Sequence, residues 1–531
     1  MYNLLRDPLV RVRLGGGGTM AMSLPGVYDA LSSDQVSDYP ALRPHQRHAW
    51  HAFLAQLGVI ALHRAGHQTL PAGRLDWEAL LRGLTPEFSD DEPWRLVVDN
   101  AALPAFMQCP APSGLAEYRR RTSTADDLDL LVTAKNHDVK TSVASAGKPD
   151  DWLFALVDLQ TMSGFLGAGN YGIARMNGGF SARPCLGLAP ADGGLGSHLF
   201  SDIGRMLSGR PRLLERYEMY FDPTGGLALT WLEPWDGTQA LDLRTLDPYF
   251  IEICRRVRLV RTNGKIAART AGSKLARIAA KAAKGNLGDF WTPVSMEGKA
   301  LSLTSAGFRY DRLYNLIFRS GEFRLPAAMQ VGSTAGGRWR LVARGVAGGQ
   351  GKTDGYYQRT DISIAPKVAS SLFGGADRDT LAQIAAAQLE EIQEVQRALR
   401  LGIGVAASGG RPAADVDATH WALAGPYMRR LDSVADSEYF AVLEKRFLAS
   451  GDAERDRIRA GFARRMIASA SDLLDEAIGA VPCPAIRRHR SRVRAHSIFW
   501  QRLRTRQGVF SDQPEIFVGD RETAEEEDHA A

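Results

Sequence analysis

The chain has 531 residues, of which 45% are hydrophobic and 24% charged, and its formal net charge is +5 at pH 7. This length exceeds what one hydrophobic core accommodates, so we expect two or three domains. No apolar run approaches the roughly 18 residues of a membrane span, and the N-terminus lacks the pattern of a secretory signal. The sequence therefore predicts a globular cytoplasmic protein and excludes a membrane protein.

Cysteine spacing and charge distribution narrow the class further. The four cysteines, Cys109, Cys185, Cys254 and Cys483, are far apart and form no C-x-x-C pair, so we expect neither disulfides nor a cysteine zinc site. Residues 520–528 hold six acidic residues and one arginine, which leaves a charge of +10 on the rest of the chain. A basic body with a short acidic tail favours a phosphate-rich partner over a tail that only aids solubility.

The first hundred residues mix short apolar runs with loops. Val10–Leu14 alternates with period two and predicts a strand that ends in a turn at Gly15–Gly18. Ala49–His63 carries apolar residues at helical spacing and predicts a helix with a buried face. His48 and His51 fall on one helical face, but no Asp, Glu or Cys joins them at the spacing of metal ligands. We therefore predict no metal-binding residue.

A glycine-rich stretch, Ser163–Gly179, follows a predicted helix over Asp151–Met162. Six of its seventeen residues are glycines, which permit positive φ and close approach of the backbone to a partner. Gly167–Gly172 spells G-x-G-x-x-G, but a dinucleotide site must open a long helix, and Asn177-Gly178-Gly179 and Pro184 interrupt the chain too soon. A structural turn remains an alternative; we favour a loop shaped for close approach to a large ligand.

The segment Arg255–Lys284 contains ten basic residues and no acidic one. Solvated faces normally interleave both signs of charge. This imbalance favours phosphate contact over a solvated surface.

A strand-like run, Trp339–Arg344, leads to Gly349-Gln350-Gly351-Lys352-Thr353. The Gly-Lys-Thr end suggests a Walker A loop, but the pattern requires glycine at position 346, where the chain has Val346. A glutamine between two glycines on a loop instead offers an amide that can meet base edges.

Helical periodicity dominates from Asp377 onward, and four segments with short connections predict a bundle. The second segment, Val416–Leu448, is expected to bend at Pro426. In the last segment the arginines surround the helix, and the residues expected to pack inward are Ile486, Val493, Phe499, Trp500 and Leu503. Nucleic acid or an acidic subunit would satisfy those arginines, and the alternative is pairing with bundle carboxylates at Glu390, Glu391 and Glu394.

These patterns predict an α+β protein with a large mixed α/β N-terminal lobe over 1–375, a C-terminal four-helix bundle over 376–510 and an acidic, disordered tail over 511–531. No H-E-x-x-H, G-x-S-x-G or metal-spaced carboxylate cluster occurs, so we predict no catalytic residue and no cofactor. The first hypothesis is a nucleic-acid-binding subunit. The second is a nucleotide-dependent enzyme that uses the glycine-rich loop or the Gly-Lys-Thr loop.

Several segments together resemble one family. In order, they are Asn3-Leu4-Leu5 with Asp7, Pro104–Gln108, the glycine stretch through Arg175-Met176-Asn177-Gly178-Gly179, Gly349–Thr353 and the terminal bundle. This ordered set resembles CasA, the large subunit of the type I-E CRISPR Cascade, an RNA-guided surveillance complex. The resemblance spans nearly the whole chain.

The resemblance implies specific roles in double-stranded DNA. A glycine loop that reads the protospacer-adjacent motif from the minor groove corresponds to Gly167, Ala168, Gly169, Asn170 and Tyr171. A glutamine wedge that starts strand separation corresponds to Gln350, flanked by Gly349 and Gly351 and followed by Lys352. The family also places a lysine at the motif, and the candidates here are Lys281 and Lys284.

The resemblance also implies partners. The polar segment Asn136–Lys148 corresponds to the loop that anchors the subunit to the other Cascade subunits with their guide RNA. The bundle would hold the displaced strand and help recruit a separate helicase-nuclease, which performs the cleavage. Some family members carry a cysteine zinc site, and this chain has no matching cysteines, so no zinc is expected there.

Overall fold

The structure, a computed structural model, describes residues 2–73, 75–128, 147–318, 321–330, 337–349, 352–372, 377–505 and 508–517. The chain divides into two units, the first formed by Met1–Phe308 with Arg319–Ser363 and the second by Arg309–Phe318 with Ile364–Ala531. Helices and strands both occur and the C-terminal region is helical, which confirms the predicted α+β class. Among the described residues, no helix combines the length and the apolar character needed to cross a membrane.

The first unit is built around two buried helices. Its described helices are α1 (Leu24–Ser32), α2 (Arg47–Arg64), α3 (Trp77–Arg82), α4 (Pro149–Met162) and α5 (Leu195–Arg216). Helices α2 and α4 are apolar on nearly every side, so both lie inside the core rather than along its surface. The ring centroids of Trp50 in α2 and Phe154 in α4 are 5.0 Å apart. The helices predicted over Ala49–His63 and Asp151–Met162 are confirmed.

Short strands surround these helices. They are β1 (Val10–Leu14), β2 (Thr19–Met22), β3 (Val36–Asp38), β4 (Arg120–Thr122), β5 (Cys185–Pro190), β6 (Leu227–Leu229), β7 (Leu246–Ile251), β8 (Arg256–Thr262), β9 (Lys265–Ala271), β10 (Val294–Ser295), β11 (Phe323–Arg324), β12 (Trp339–Gly349), β13 (Lys352–Arg359) and β14 (Ser363–Ile364). The antiparallel sheets include β2-β1-β3 and β4-β9-β8, whereas β6 and β7 pair in parallel. The predicted strand Val10–Leu14 is confirmed, and its turn closes where the Leu14 N–H donates to the Gly18 carbonyl at 3.2 Å.

The longest described strand, β12, continues beyond its pairing with β5 as one strand of a two-stranded ribbon. Strand β5 pairs with β12 only between Trp339 and Arg344. Strand β13 pairs with β12 from Ala343 as far as Gly349, which lies opposite Lys352, with a bulge between Ala347 and Gly348. Residues 345–349 therefore form a two-stranded ribbon with β13 that extends past the end of β5.

The second unit is helical. Its described helices are α6 (Tyr310–Phe318), α7 (Pro366–Leu372), α8 (Arg378–Ala407), α9 (Ala418–Ala422), α10 (Gly425–Leu448), α11 (Asp452–Ala480) and α12 (Arg488–Leu503). Helices α8, α11 and α12 confirm three of the predicted segments, and α10 covers only Gly425–Leu448 of the second, Val416–Leu448. The expected bend at Pro426 is wrong, because the chain forms two separate helices there and Pro426 occupies the first turn of α10, where its missing N–H costs nothing.

Helix α12 buries a narrower face than its sequence predicts. Phe499 and Leu503 are buried as expected, but Ile486 is 92% and Val493 53% exposed, so their predicted inward packing is wrong. The buried stripe instead uses the small residues Ser491 and Ala495 at four-residue spacing. Small residues allow α12 to approach α8 closely, and the Ser491 hydroxyl donates to the Ala406 carbonyl at 2.7 Å.

Carboxylates of α8 form ion pairs with several arginines of the bundle. Glu391 lies between Arg446 at 2.9 Å and Arg459 at 2.7 Å, and Glu394 accepts from Arg502 of α12. The predicted tail begins with a short turn, Pro514–Phe517, in which Ile516 is buried. The acidic residues at 520–528 lie outside the described residues.

Candidate nucleic-acid interface

The tip of the glycine stretch is a projecting loop. The Leu166 N–H donates to the Asn170 carbonyl, and the Asn170 N–H donates to the Gly167 carbonyl, both at 3.0 Å. Gly167 and Gly169 have φ of 104° and 84°, which L residues with a side chain rarely adopt. Ala168 and Asn170 are exposed at this tip. The segment Gly167–Tyr171, called the glycine loop below, therefore presents backbone and small side chains to solvent.

Glycines at the base of the stretch are required by packing. A Cβ atom on Gly164 would lie 2.2 Å from the Ser181 carbonyl oxygen, and one on Gly172 would lie 2.7 Å from the Gly164 carbonyl carbon. By contrast, a Cβ on Gly167 would meet nothing within 4 Å. The base glycines thus let two backbone segments cross, and the tip glycines serve the loop's conformation.

Arg255 joins the two sides of the glycine loop from beneath. Arg255 is 7% exposed, and its guanidinium donates to the Gly164 carbonyl at 3.1 Å and to the Tyr171 carbonyl. The aromatic ring of Tyr171 lies 6.0 Å from that of Phe165, centroid to centroid. The loop is therefore held by a buried cation whose donors are used on backbone oxygens.

Beyond the loop, the stretch is anchored by a buried ion pair. Arg175 Nη1 lies 3.2 Å from Glu252 Oε1, and the Ala174 N–H donates to the other oxygen of Glu252 at 2.7 Å. The Arg175 guanidinium also lies 3.8 Å from the Phe250 ring centroid. Burial lowers the pKa of Arg175 and raises that of Glu252, while their mutual attraction opposes both shifts.

Half of the basic run Arg255–Lys284 is structural, which corrects the expectation that the run as a whole contacts phosphate. Arg258 donates to the Leu103 carbonyl at 3.0 Å, and Arg277 donates to the Thr230 carbonyl at 2.9 Å. Burial lowers the pKa of both arginines. The buried or half-buried arginines are Arg255, Arg256, Arg258, Arg269 and Arg277, and the exposed cations are Arg261, Lys265, Lys274, Lys281 and Lys284.

One exposed lysine, Lys274, lies beside the glycine loop. It belongs to the segment Gly272–Leu275, called the lysine loop below, whose Ser273 N–H donates to the Gly169 carbonyl at 3.1 Å. A Cβ on Gly169 would lie 3.7 Å from the Gly272 Cα, so the two backbones are in contact. Lys274 is not distinguished from the other cations of the run by its sequence pattern, although the turn residues Gly272 and Ser273 before it mark a loop.

Lys281 and Lys284, the two lysines selected from the sequence, do not belong to the lysine loop. Lys281 is exposed and opens the short turn Lys281–Ala283. Lys284 is also exposed, and the next residue, Gly285, packs so closely that a Cβ there would lie 2.7 Å from the Arg175 carbonyl oxygen. Lys284 therefore adjoins the Arg175 end of the stretch rather than its tip.

The β12–β13 ribbon meets the base of the same stretch. The Gly348 N–H donates to the Ser181 hydroxyl at 3.3 Å, and the Ala182 N–H donates to the Val346 carbonyl at 3.0 Å. The carbonyl oxygen of Ser181 is also the atom that leaves no space for a Cβ at Gly164. Gln350 and Gly351 lie outside the described residues, as does the side chain of Lys352, but the pair Gly349–Lys352 fixes where the ribbon ends.

Neither glycine motif has the context of a phosphate-binding loop. Lys352 opens strand β13, whereas a Walker A lysine opens a helix. No described helix begins between Gly172 and Leu195, so the G-x-G-x-x-G sequence does not lead into a helix N-terminus either. The segment Asn136–Lys148, expected to anchor the chain to other subunits, lies outside the described residues as far as Ala146.

Three solved structures resemble this one along almost their whole length. Cse1 of Thermobifida fusca covers 95% of this chain and 97% of its own, with 15% sequence identity and a TM-score of 0.63. CRISPR-associated protein Cse1 of Acidimicrobium ferrooxidans covers 94% and 97%, with 16% identity and a TM-score of 0.62. CasA (Cse1) of Thermus thermophilus covers 94% and 99%, with 15% identity and a TM-score of 0.58.

No protein-family model and no curated protein matches the sequence. At identities of 15–16% the likeness rests on three-dimensional arrangement, and it includes both units of the chain. This chain has the fold of the CRISPR-associated Cse1/CasA proteins.

Proposed function

We propose that this chain is the non-catalytic large subunit of an RNA-guided CRISPR surveillance complex of the type I-E Cascade kind. In this role it recognises the protospacer-adjacent motif in double-stranded DNA, starts strand separation and helps recruit a helicase-nuclease. Its partners are target DNA, the other Cascade subunits and their guide RNA, and its compartment is the cytoplasm. Cleavage belongs to the recruited enzyme, so this chain performs no reaction.

One observation carries the proposal: hydrogen bonds join the glycine loop to the lysine loop, and the chain just after the glycine stretch to the β12–β13 ribbon. The Ser273 N–H donates to the Gly169 carbonyl, and the Gly348 N–H donates to the Ser181 hydroxyl. Three separate segments of a protein with the Cse1/CasA fold thus supply a closely approaching backbone, a cation and a wedge. These are the features that recognition and opening of a duplex require.

The chemistry of the glycine loop suits the minor groove. That groove is only about 6 Å wide, so a loop that enters it must lack bulky side chains. Gly167, Ala168 and Gly169 meet this condition, and the buried Arg255 keeps their backbone in place. Asn170 and Tyr171 add a polar group and a ring that influence which motifs are accepted. Because the minor groove distinguishes mainly A·T from G·C, several motifs are expected to bind.

We assign the motif-reading lysine to Lys274 in preference to Lys281 and Lys284. Lys274 is exposed on the loop that bonds directly to Gly169, so its ammonium can reach the same groove as the glycine loop. Gln350 follows Gly349 at the ribbon's end and acts as the wedge, which unstacks a base step at a cost of a few kcal/mol and begins seed pairing with the guide.

The proposal is tested with the assembled complex, prepared with and without this chain, on duplexes that differ only in the bases beside the guide-matched sequence. Affinity is measured at several fixed salt concentrations. Discrimination between motifs should disappear without the chain and in the Lys274→Ala complex. Discrimination should persist in the control variant Lys265→Ala. Lys265 is also exposed, but it lies at the start of β9, and the seven extended residues of that strand place it about 20 Å from the end that leads to the lysine loop. Full discrimination without the chain would overturn the proposal.

A further inference from the structure

Three potential metal ligands meet where helices α2 and α5 pack together. His51 lies on α2, and His198 and Asp202 lie one turn apart on α5. The His51 Nε2 atom is 2.9 Å from Asp202 Oδ2, and the His198 Nε2 atom is 3.6 Å from the same oxygen. One ligand atom from each residue lies within 4.8 Å of the others. Two helices far apart in sequence thus supply two imidazoles and one carboxylate to a single point.

These distances suit a small tetrahedral cation. Zinc binds histidine nitrogen and carboxylate oxygen at about 2.0–2.1 Å, so two ligand atoms at a tetrahedral angle are separated by about 3.3 Å. The two histidine-to-Asp202 distances, 2.9 and 3.6 Å, lie on either side of that value. The two imidazole rings stack with their centroids 4.0 Å apart, so they must separate and turn before both nitrogens point at one ion.

Asp202 is held in place by two further donors. The Trp291 Nε1–H donates to Oδ2 at 2.9 Å, and the Arg205 guanidinium donates to Oδ1. Arg205 also donates to the carbonyls of Leu188 and Ala328, so its position does not depend on Asp202 alone. Such outer contacts orient a metal-binding carboxylate.

A small cavity adjoins the cluster and can supply a further ligand. Its volume is about 20 Å³, enough for one water molecule, and its walls include His48, His51 and His198. His48 is 3% exposed, and the hydrogen bond between its ring and the Arg183 backbone departs from normal geometry. A water coordinated by the ion would give the ring a better partner.

We propose that His51, His198 and Asp202 bind one divalent transition-metal ion, Zn²⁺ by the chemistry of these ligands, with the fourth position open toward the cavity beside His48. The ion fixes the crossing of α2 and α5. These helices already approach so closely that a Cβ on Gly58 of α2 would lie 2.8 Å from the Ile203 side chain of α5. The site is structural and independent of the DNA-binding role proposed above.

The test uses the full chain, purified without a histidine tag, stripped with a chelator and titrated with Co²⁺ as a spectroscopic substitute for Zn²⁺. We expect one Co²⁺ per chain, a visible absorption typical of tetrahedral coordination, displacement by one equivalent of Zn²⁺, and a melting temperature raised by the metal. A wild-type chain that binds no stoichiometric Co²⁺ would overturn the proposal whatever the variants show.

Variants locate the ion. Asp202→Asn and, separately, His51→Gln should weaken Co²⁺ binding by more than tenfold and abolish the metal-dependent rise in melting temperature. The matched control is His496→Gln, since His496 also pairs with a carboxylate, Asp475, at 3.0 Å but has no second histidine at that carboxylate. If Asp202→Asn fails to fold, the half-buried His51 supplies the decisive variant. Wild-type affinity in His51→Gln would overturn the assignment, and the metal would then belong to other histidines.

Discussion

Replacing Arg255 by methionine distinguishes a cation that holds the glycine loop from one that contacts DNA. The Arg255 guanidinium donates to the carbonyls of Gly164 and Tyr171, on opposite sides of the loop, and to the Cys254 carbonyl. Methionine preserves much of the apolar length of the side chain and donates nothing. Leaving a buried acceptor unsatisfied costs about 1–3 kcal/mol. Three acceptors lose this donor and Tyr171 is only half-buried, so we expect about 1 kcal/mol for each acceptor, or about 3 kcal/mol in the free energy of unfolding.

Two measurements decide the outcome. In thermal unfolding of the full chain, the transition of the first unit should fall by about 5 °C, whereas Lys265→Met, the same change at an exposed cation of the same run, should shift it by about 1 °C or less. In the assembled complex, Arg255→Met should weaken binding but leave the slope of log affinity against log salt unchanged, since no phosphate contact is lost. Unchanged stability with a slope reduced by about one unit would refute this reasoning.

Four further substitutions separate packing from recognition. Gly164→Ala should destabilise the first unit by about 2 kcal/mol or more in thermal or urea unfolding, because its Cβ would lie 2.2 Å from a backbone oxygen. Ala168→Phe, at an exposed tip position, should leave stability within about 0.5 kcal/mol yet weaken motif-dependent binding at least tenfold; unchanged affinity would remove the glycine loop from the interface. Lys274→Ala should lower the salt slope by about one unit and reduce motif discrimination, whereas Lys265→Ala should leave discrimination intact. Gln350→Ala should slow strand opening, followed by a fluorescent base analogue, more than it weakens initial duplex binding; equal losses in both would contradict the wedge role.

Local patterns predicted those parts of the fold that local forces determine. Val10–Leu14, α2 and α4 each carry their periodicity within a few residues, and each forms where the sequence places it. Val493 shows the limit of such patterns. Its apolar side chain suggested an inward face, but α12 packs through Ser491 and Ala495, and no periodicity reveals that a neighbouring helix requires small residues.

The glycines of the candidate site stand out in the sequence, whereas the exposure of its cations does not. A glycine-rich stretch identifies a special backbone wherever it occurs, so the glycine loop could be selected from sequence. Long-range contacts decide which of ten neighbouring cations are buried, and these contacts made Lys274 a better candidate than Lys281 or Lys284. The same limit hid the histidine cluster: no carboxylate lies near His51 in sequence, and Asp202 reaches it from 151 residues away.

The buried arginines explain how an irregular lobe with short strands can be ordered. Buried carbonyl oxygens need donors, and where no strand or helix supplies them, a guanidinium offers five N–H groups in a fixed plane. Arg258 reaches the carbonyls of Leu103 and Cys109, and Arg277 reaches those of Thr230 and Glu233. Part of the chain's positive charge therefore satisfies its own backbone. Basic composition alone overstates the cationic surface that is open to a polyanion. Under the proposed function, the salt dependence of DNA binding should follow the exposed cations rather than all ten in the run Arg255–Lys284.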